Sequence, residues 1–160
     1  MNSVLDRLAS DCLYAPEQDM WVRLDADGCG ARIGATHLVS AHGQFMLFTP
    51  RPVGSAIDRD RSLGVMETGK TAMAIHAPLS CRIIEVNSAA VDNIHLVIAD
   101  PYSTGWLFRI QPTHLEGERS ALMEVGEYRE WLLPRLAEKL VPPIDDFYTE
   151  DFDIDPNRGY

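Results

Sequence analysis

The chain has 160 residues, of which 46% are hydrophobic and 24% are charged, and its formal net charge is −10. This length and composition predict one soluble globular domain with a hydrophobic core of its own. The negative charge argues against a nucleic-acid-binding protein, because binding to phosphates needs clustered lysine and arginine.

No apolar run approaches the roughly 20 residues that span a bilayer, so no membrane association is expected. The N-terminal residues lack the basic and apolar regions of a secretory signal, and we therefore expect a cytoplasmic protein. The three cysteines, Cys12, Cys29 and Cys81, are odd in number and widely spaced. Neither a disulfide framework nor a metal site is expected, since the histidines also lack zinc-binding spacing.

The first predicted element is a short helix over residues 3–13, which Pro16 ends, so that residues 1–16 form an N-terminal extension. From Met20 to about Ile110, short apolar runs alternate with turn residues. The predicted strands cover residues 20–24, 31–41, 44–48, 62–68, 71–76, 81–87, 95–99 and 105–110. Many short strands at this spacing are typical of an all-β barrel or sandwich.

The C-terminal part is predicted to be helical, because leucine and valine recur at helical spacing from Leu122 to Leu140. Pro134 is expected to split this segment, since proline is favoured in the first turn of a helix. Residues 17–140 then form the main domain with its closing helices. Residues 141–160 carry six acidic residues against one basic residue, Arg158. They predict a poorly ordered acidic tail. The alternative is that its aromatic residues allow part of the tail to dock.

The segment 64–87 carries the most informative pattern, two strand-like runs on either side of Glu67-Thr68-Gly69-Lys70-Thr71. Gly69 is expected to permit a tight backbone turn, so that Lys70 stands in solvent at or beside a hairpin tip. An exposed lysine on a rigid turn can enter the pocket of a modifying enzyme without unfolding the domain. The same pattern alone also fits an unmodified surface lysine, the commoner role of a lysine at a turn.

The wider segment resembles the lipoylation region of the glycine-cleavage H-protein family. That family usually has E-S-V-K-A, a strand, A-P-x-S-G and then E-V-N. The matching residues here, without gaps, are Glu67, Lys70, Ala77-Pro78, Ser80 and Glu85-Val86-Asn87. Further matches are Trp21-Val22, Ile33-Gly34, Asp92-Asn93, Leu96-Val97, Asp100-Pro101-Tyr102, Gly105-Trp106-Leu107, Leu122-Met123 and Tyr128. The resemblance covers about residues 13–133.

The resemblance implies a mainly β barrel-sandwich hybrid of two antiparallel sheets, with a short N-terminal helix and C-terminal helices. It also implies a monomeric, non-catalytic carrier with lipoate in amide linkage to Lys70, where the dithiolane supplies the chemistry. A lipoate ligase or lipoyl-assembly enzymes would modify the lysine and would recognise Glu67 and Gly69. A solvated turn carboxylate is the alternative for Glu67.

Several residues around the lysine depart from the family pattern. Thr68-Gly69 and Thr71 replace Ser-Val and Ala, His76 replaces a tyrosine, and Cys81 replaces a glycine. These departures favour an H-like lipoate-binding protein that serves a heterodisulfide-reductase-like complex in sulfur oxidation. The alternatives are an H protein that carries an aminomethyl group among the glycine-cleavage enzymes, and an unmodified H-like interaction module. A biotin carrier is disfavoured because Met-Lys-Met is absent.

His76 and Cys81 are predicted as neighbours of the lipoyl arm. His76 lies six residues after Lys70 and, by strand alternation, shares its face, so it could line a resting groove for the arm. A half-exposed strand histidine is the alternative. Cys81 could exchange with the dithiolane, and a small, semi-buried packing residue is the alternative.

Overall fold

The computed structural model describes residues 3–140, in which short strands dominate and short helices connect or close them. The strands are β1 (Leu13–Ala15), β2 (Met20–Leu24), β3 (Ala31–Ala35), β4 (Phe45–Pro50), β5 (Ala56–Ile57), β6 (Ser62–Thr68), β7 (Ala72–His76), β8 (Cys81–Val86) and β9 (Phe108–Pro112). The α-helices are α1 (Ser3–Asp6), α2 (Ser88–Asp92), α3 (His95–Ala99), α4 (Leu115–Glu118), α5 (Val125–Leu132) and α6 (Leu136–Leu140). Three-ten helices cover His37–His42, Arg119–Ala121 and Leu133–Arg135.

The strands form two antiparallel sheets. One has the order β1-β2-β3-β9-β8-β5, and the other has the order β4-β6-β7. Residues of both sheets contribute to one buried apolar cluster, in which Phe48 and Phe108 meet edge to face at 5.7 Å between ring centroids. Removal of this apolar surface from water is the main stabilising term. The mainly β, two-sheet prediction is therefore confirmed.

A second apolar cluster ties the N-terminal segment to the closing helices. Tyr14 stacks on Tyr128 with ring centroids 4.5 Å apart, and the backbones of Tyr14 and Met123 exchange two hydrogen bonds of 2.8 Å. The Trp21 indole N–H donates to the carbonyl of Pro101 at 2.9 Å. A Cβ on Gly34 would lie 2.7 Å from the Trp21 ring, so only glycine leaves room for this packing.

Several predicted elements differ from those observed, and the strand predicted at 105–110 runs instead from Phe108 to Pro112. The N-terminal helix ends at Asp6, and residues 13–15 instead form β1, which pairs with β2. The predicted strand 31–41 stops at Ala35, and the chain continues as a three-ten helix. Residues 95–99, predicted as a strand, form α3, because a five-residue apolar run does not by itself distinguish a strand from a helix.

Pro134 does split the C-terminal segment, since it lies in the three-ten turn between α5 and α6. The predicted acidic tail, 141–160, lies outside the described residues. Within residues 3–140, none of the helices has the length and apolar character that crossing a bilayer requires.

Candidate functional site

Lys70 lies at the tip of the hairpin that joins β6 to β7, and it is exposed. Glu67 pairs with Ala72 across the hairpin, and the Thr68 N–H donates to the carbonyl of Thr71 at 2.9 Å. Residues 69–71 are therefore a short connection closed by the hairpin hydrogen bonds, called here the Lys70 turn. The predicted position of the lysine agrees with this geometry.

The Thr68 hydroxyl organises the Lys70 turn. Its oxygen accepts the backbone N–H of Lys70 at 3.2 Å and that of Thr71 at 3.1 Å. Threonine and serine hydroxyls commonly accept such hydrogen bonds from backbone groups two or three residues ahead. The lysine backbone is thus held by a side chain that the sequence prediction passed over, although a threonine two residues before a turn is itself a recognisable signal.

Gly69 does not have the backbone role predicted for it. Its φ is not positive, and a Cβ added there would meet only the Met46 sulfur, at an ordinary contact distance of 3.7 Å. The tight turn therefore needs no glycine at this position, because the hydroxyl of Thr68 supplies the hydrogen bonds that hold it. This corrects the expectation that Gly69 permits the turn.

A groove of about 180 Å³ begins beside the hairpin and follows β7. We call it the β7 groove. It lies between β7, the β1–β2 connection and the end of the three-ten helix at His42. Its lining residues are Glu17, Gln18, Asp19, Met20, Ala35, Val39, His42, Met66, Met73, Ala74, Ile75 and His76. The lining thus combines apolar thioether and alkyl groups with carboxylates and imidazoles, and it is suited to a long chain with a polar end.

His76 and Cys81 are placed very differently. His76 is exposed and lines the β7 groove. Cys81 is 1% exposed and sits in the other sheet, paired with Ile57 and Pro112. Burial, with a smaller contribution from Glu118, raises the pKa of the Cys81 thiol to about 12. The prediction that Cys81 neighbours the arm is therefore wrong, because this thiol is an inert part of the core.

Asp19 at the edge of the groove is paired with the second lysine of the chain. The Lys139 amine lies 2.8 Å and 3.0 Å from the two carboxylate oxygens of Asp19. It also lies 5.7 Å from the centre of the Trp131 ring. This ion pair fixes α6 against the β1–β2 connection and leaves Lys139 only partly exposed, at 24% of its side chain.

Glu67 and Ser80 occupy motif positions with distinct surroundings. Glu67 is half-buried on β6, three residues before Lys70. The Glu118 carboxylate accepts both the backbone N–H and the hydroxyl of Ser80, each at 2.7 Å. The Ser80 oxygen in turn accepts the N–H of Arg59 at 3.0 Å. Ser80 thus links three segments and is only 7% exposed, so its role is structural.

Comparison with known proteins gives a consistent family. The model of the glycine cleavage H-protein family matches residues 13–134. Glycine cleavage system H protein 5 of Aquifex aeolicus is 32% identical over 136 residues, covering 83% of this chain and 92% of that protein. The H protein of Corynebacterium jeikeium is 34% identical over 125 residues, covering 76% of this chain and 94% of its own.

A solved structure agrees with these sequence relatives. The crystal structure of a glycine cleavage system H protein from Mycobacterium marinum matches with a TM-score of 0.67 and 31% identity, covering 78% of this chain and 98% of that one. The barrel-sandwich hybrid predicted from the resemblance is therefore confirmed. These relatives support glycine cleavage, the alternative in the sequence interpretation, better than the preferred sulfur-oxidation context, for which the comparisons offer no support.

Proposed function

The chain belongs to the glycine cleavage H-protein family, and from that membership we propose that it is the lipoyl carrier of a glycine cleavage system, modified on Lys70. Proteins of this family carry lipoate attached covalently to a lysine. The bound dithiolane supplies thiol–disulfide exchange and, in this proposal, carries an aminomethyl group.

The observation that carries the assignment to Lys70 is the scarcity of lysine. The whole sequence contains two, Lys70 and Lys139. Lys139 is only partly exposed, at 24% of its side chain, because it lies against Asp19. Lys70 is exposed on a turn whose backbone Thr68 fixes. Lys70 is therefore the lysine that a modifying enzyme can reach in the folded protein.

The β7 groove suits the resting position of a modified Lys70 side chain. It begins at Met73, three residues along the chain from Lys70, and the stretch from Met73 to His76 spans about 10 Å at the usual rise of a strand. Met66 and Met73 offer adaptable apolar contact to an alkyl chain. Glu17 and His76 place polar groups in the same groove, where they can bind a polar group carried at the end of that chain.

The proposed partners are the enzymes that load and unload the carrier and the enzyme that lipoylates it. The formal charge of −10 favours encounter with basic docking surfaces by electrostatic steering. The chain itself acts as a carrier and not as a catalyst in this proposal. Glu67 and Gly69 remain candidates for recognition by the lipoylating enzyme, Glu67 through its carboxylate and Gly69 through its place beside the lysine.

A second candidate function is sulfur transfer with a heterodisulfide-reductase-like complex. The observation that favours it is the pair of histidines, His42 and His76, in the β7 groove, with His76 at a position where the family usually has tyrosine. Imidazoles can donate hydrogen bonds to an anionic cargo, whereas an aminomethyl group is a base that becomes cationic.

The deciding experiment is glycine–bicarbonate exchange with purified glycine decarboxylase and the lipoylated full-length chain. We expect exchange with the wild type and with Lys139→Arg, and loss of exchange with Lys70→Arg, which cannot be acylated. A lipoylated chain that supports no exchange would reject the glycine-cleavage assignment. The sulfur candidate would then be tested by sulfite production with the heterodisulfide-reductase-like complex.

A further inference from the structure

A β-bulge beside the Lys70 turn directs two large apolar side chains into solvent. Phe45 pairs with Thr68 and Leu47 pairs with Glu67, so Met46 is an extra residue on β4. Phe45 and Phe48 are buried, whereas Met46 is 71% and Leu47 48% exposed. Strict alternation would expose only one residue between the two phenylalanines. Bulges often re-aim side chains in this way next to functional sites.

The exposed pair lies directly against the turn. The Met46 sulfur is 3.7 Å from the position that a Cβ on Gly69 would occupy, so it borders the residue before Lys70. Leu47 follows on β4, opposite Glu67. A shallow hollow of about 410 Å³ adjoins Met46 on the side away from the β7 groove and is bordered by α2, where Val91 is 39% exposed. Met46 thus lies between the Lys70 turn and this hollow, whose lining combines the apolar Val91 and Ile94 with the polar Asp92 and Asn93.

We propose that Met46 and Leu47 form the docking surface for the enzyme that acylates Lys70. This inference rests on the proposed modification of Lys70. It adds a recognition surface on β4, outside the Glu-x-x-Lys pattern of the hairpin. Exposed apolar patches of this kind mark protein–protein contacts, and a flexible thioether adapts well to a partner surface.

The length of the unmodified side chain is the reason for assigning this surface to the acylating enzyme. That enzyme must draw the unmodified lysine into its own pocket, so its surface must approach the turn to within one side-chain length. Met46 lies within that distance. Enzymes that act on the loaded group meet it at the far end of a much longer arm and need not touch β4.

The charges around the patch also indicate what kind of surface the partner has. Glu67 is half-buried opposite Leu47, and Asp92 lines the hollow beyond Met46. An enzyme with an apolar centre and a cationic rim complements this arrangement. Such complementarity favours both encounter and correct orientation.

The test is lipoylation of the full-length, unmodified chain by a purified lipoate–protein ligase with lipoate and MgATP, followed by intact mass. Met46→Ser combined with Leu47→Ser should lower kcat/KM for the carrier about tenfold, mostly through KM, because a docking contact is lost. The swap Met46→Leu with Leu47→Met should retain the wild-type rate, because the apolar surface is preserved. Thermal unfolding of each variant establishes that the fold is intact.

The matched control is Val53→Ser, which removes another exposed apolar side chain, 60% exposed, beyond the end of β4 that is away from the turn. Its rate should equal that of the wild type. A double serine variant that is lipoylated with unchanged KM overturns the inference while leaving the proposed function in place. A wild-type chain that gains no lipoyl mass at Lys70 overturns both.

Discussion

The hydroxyl oxygen of Thr68 lies 3.2 Å from the backbone nitrogen of Lys70 and accepts its N–H. The same oxygen accepts the N–H of Thr71 at 3.1 Å. The lysine is therefore presented by a side chain on the preceding strand, and the H-protein family usually has serine at that position. Thr68 differs from the usual serine in residue type, but it keeps the hydroxyl group on which the geometry of the turn depends.

Removing this hydroxyl should loosen the presentation of the lysine. Thr68→Val keeps the shape of the side chain but loses the acceptor for two backbone N–H groups. Because the turn is exposed, water can replace part of the loss, and the free energy of unfolding should fall by less than about 1 kcal/mol. The lipoylation rate should fall several-fold, since the lysine backbone is no longer fixed. Thr68→Ser should retain both properties, and equal rates for the two variants would contradict this role.

Replacing Gly69 should not destabilise the fold. Gly69→Ala adds a methyl group that meets only the Met46 sulfur at 3.7 Å. The smaller entropy of the unfolded chain should raise the free energy of unfolding by about 0.5 kcal/mol. Gly64→Ala is the contrasting variant, because its Cβ would lie 2.6 Å from the Thr49 carbonyl oxygen. Urea denaturation should show a clear decrease in the free energy of unfolding for Gly64→Ala. If Gly69→Ala destabilised the protein, the turn would need glycine at this position, as the sequence analysis predicted.

The bond between Glu118 and Ser80 should contribute substantially to stability. Glu118→Ala removes a carboxylate that accepts two hydrogen bonds of 2.7 Å from Ser80, which is 7% exposed. Hydrogen bonds to a charged group predict a loss of about 2 kcal/mol in the free energy of unfolding. The neighbouring Glu116→Ala, at an exposed position, is the control and should change it little. If Glu118→Ala and the wild type had equal unfolding midpoints, the hydrogen bonds between Glu118 and Ser80 would not contribute to stability.

Stability should fall in mild acid because of His37. The residue is 3% exposed, and its Nδ1 lies 2.6 Å from the Tyr102 hydroxyl. Burial, with the charge of Arg7 as a smaller cause, lowers the pKa of His37 to about 4. The unfolded chain, with an ordinary histidine pKa, binds the extra proton first. Stability is therefore full above about pH 6.5 and is lost as the pH falls toward 4.

The size of this effect can be isolated with one variant. Between pH 7 and pH 5 the free energy of unfolding should fall by about 2 kcal/mol through His37 alone. His37→Gln cannot titrate, so its free energy of unfolding should depend less on pH by that amount, although its stability at pH 7 is lower. Identical pH dependence of the two proteins, measured by urea denaturation, would show that His37 is not kept neutral by the fold.

The sequence predicted the central strands and the position of Lys70 because their signals are local. In β8, alternation places Cys81 and Ile83 inside and Arg82 outside, as a half-buried strand requires. The error at residues 95–99 arose where tertiary packing decides. There a short apolar run becomes α3, and Gly105 packs so closely that a Cβ would lie 2.2 Å from the Leu96 carbonyl oxygen.

The site was predicted less completely than the fold, because most of it depends on contacts between distant segments. The β7 groove joins Glu17, His42 and His76 from three parts of the chain. Only His76 could be connected with Lys70 by strand periodicity. Cys81 was assigned to the site from its position in a motif, but pairing with β5 and β9 places it in the core.

Lipoylation of Lys70 is tested most directly by the mass of the protein isolated from its native cells, with the modified peptide located by fragmentation. We expect one lipoyl increment on Lys70, its persistence in Lys139→Arg and its loss in Lys70→Arg. A chain of unmodified mass from cells that lipoylate their other carriers, or a lipoyl group found on Lys139, would contradict the claim that Lys70 carries the working group.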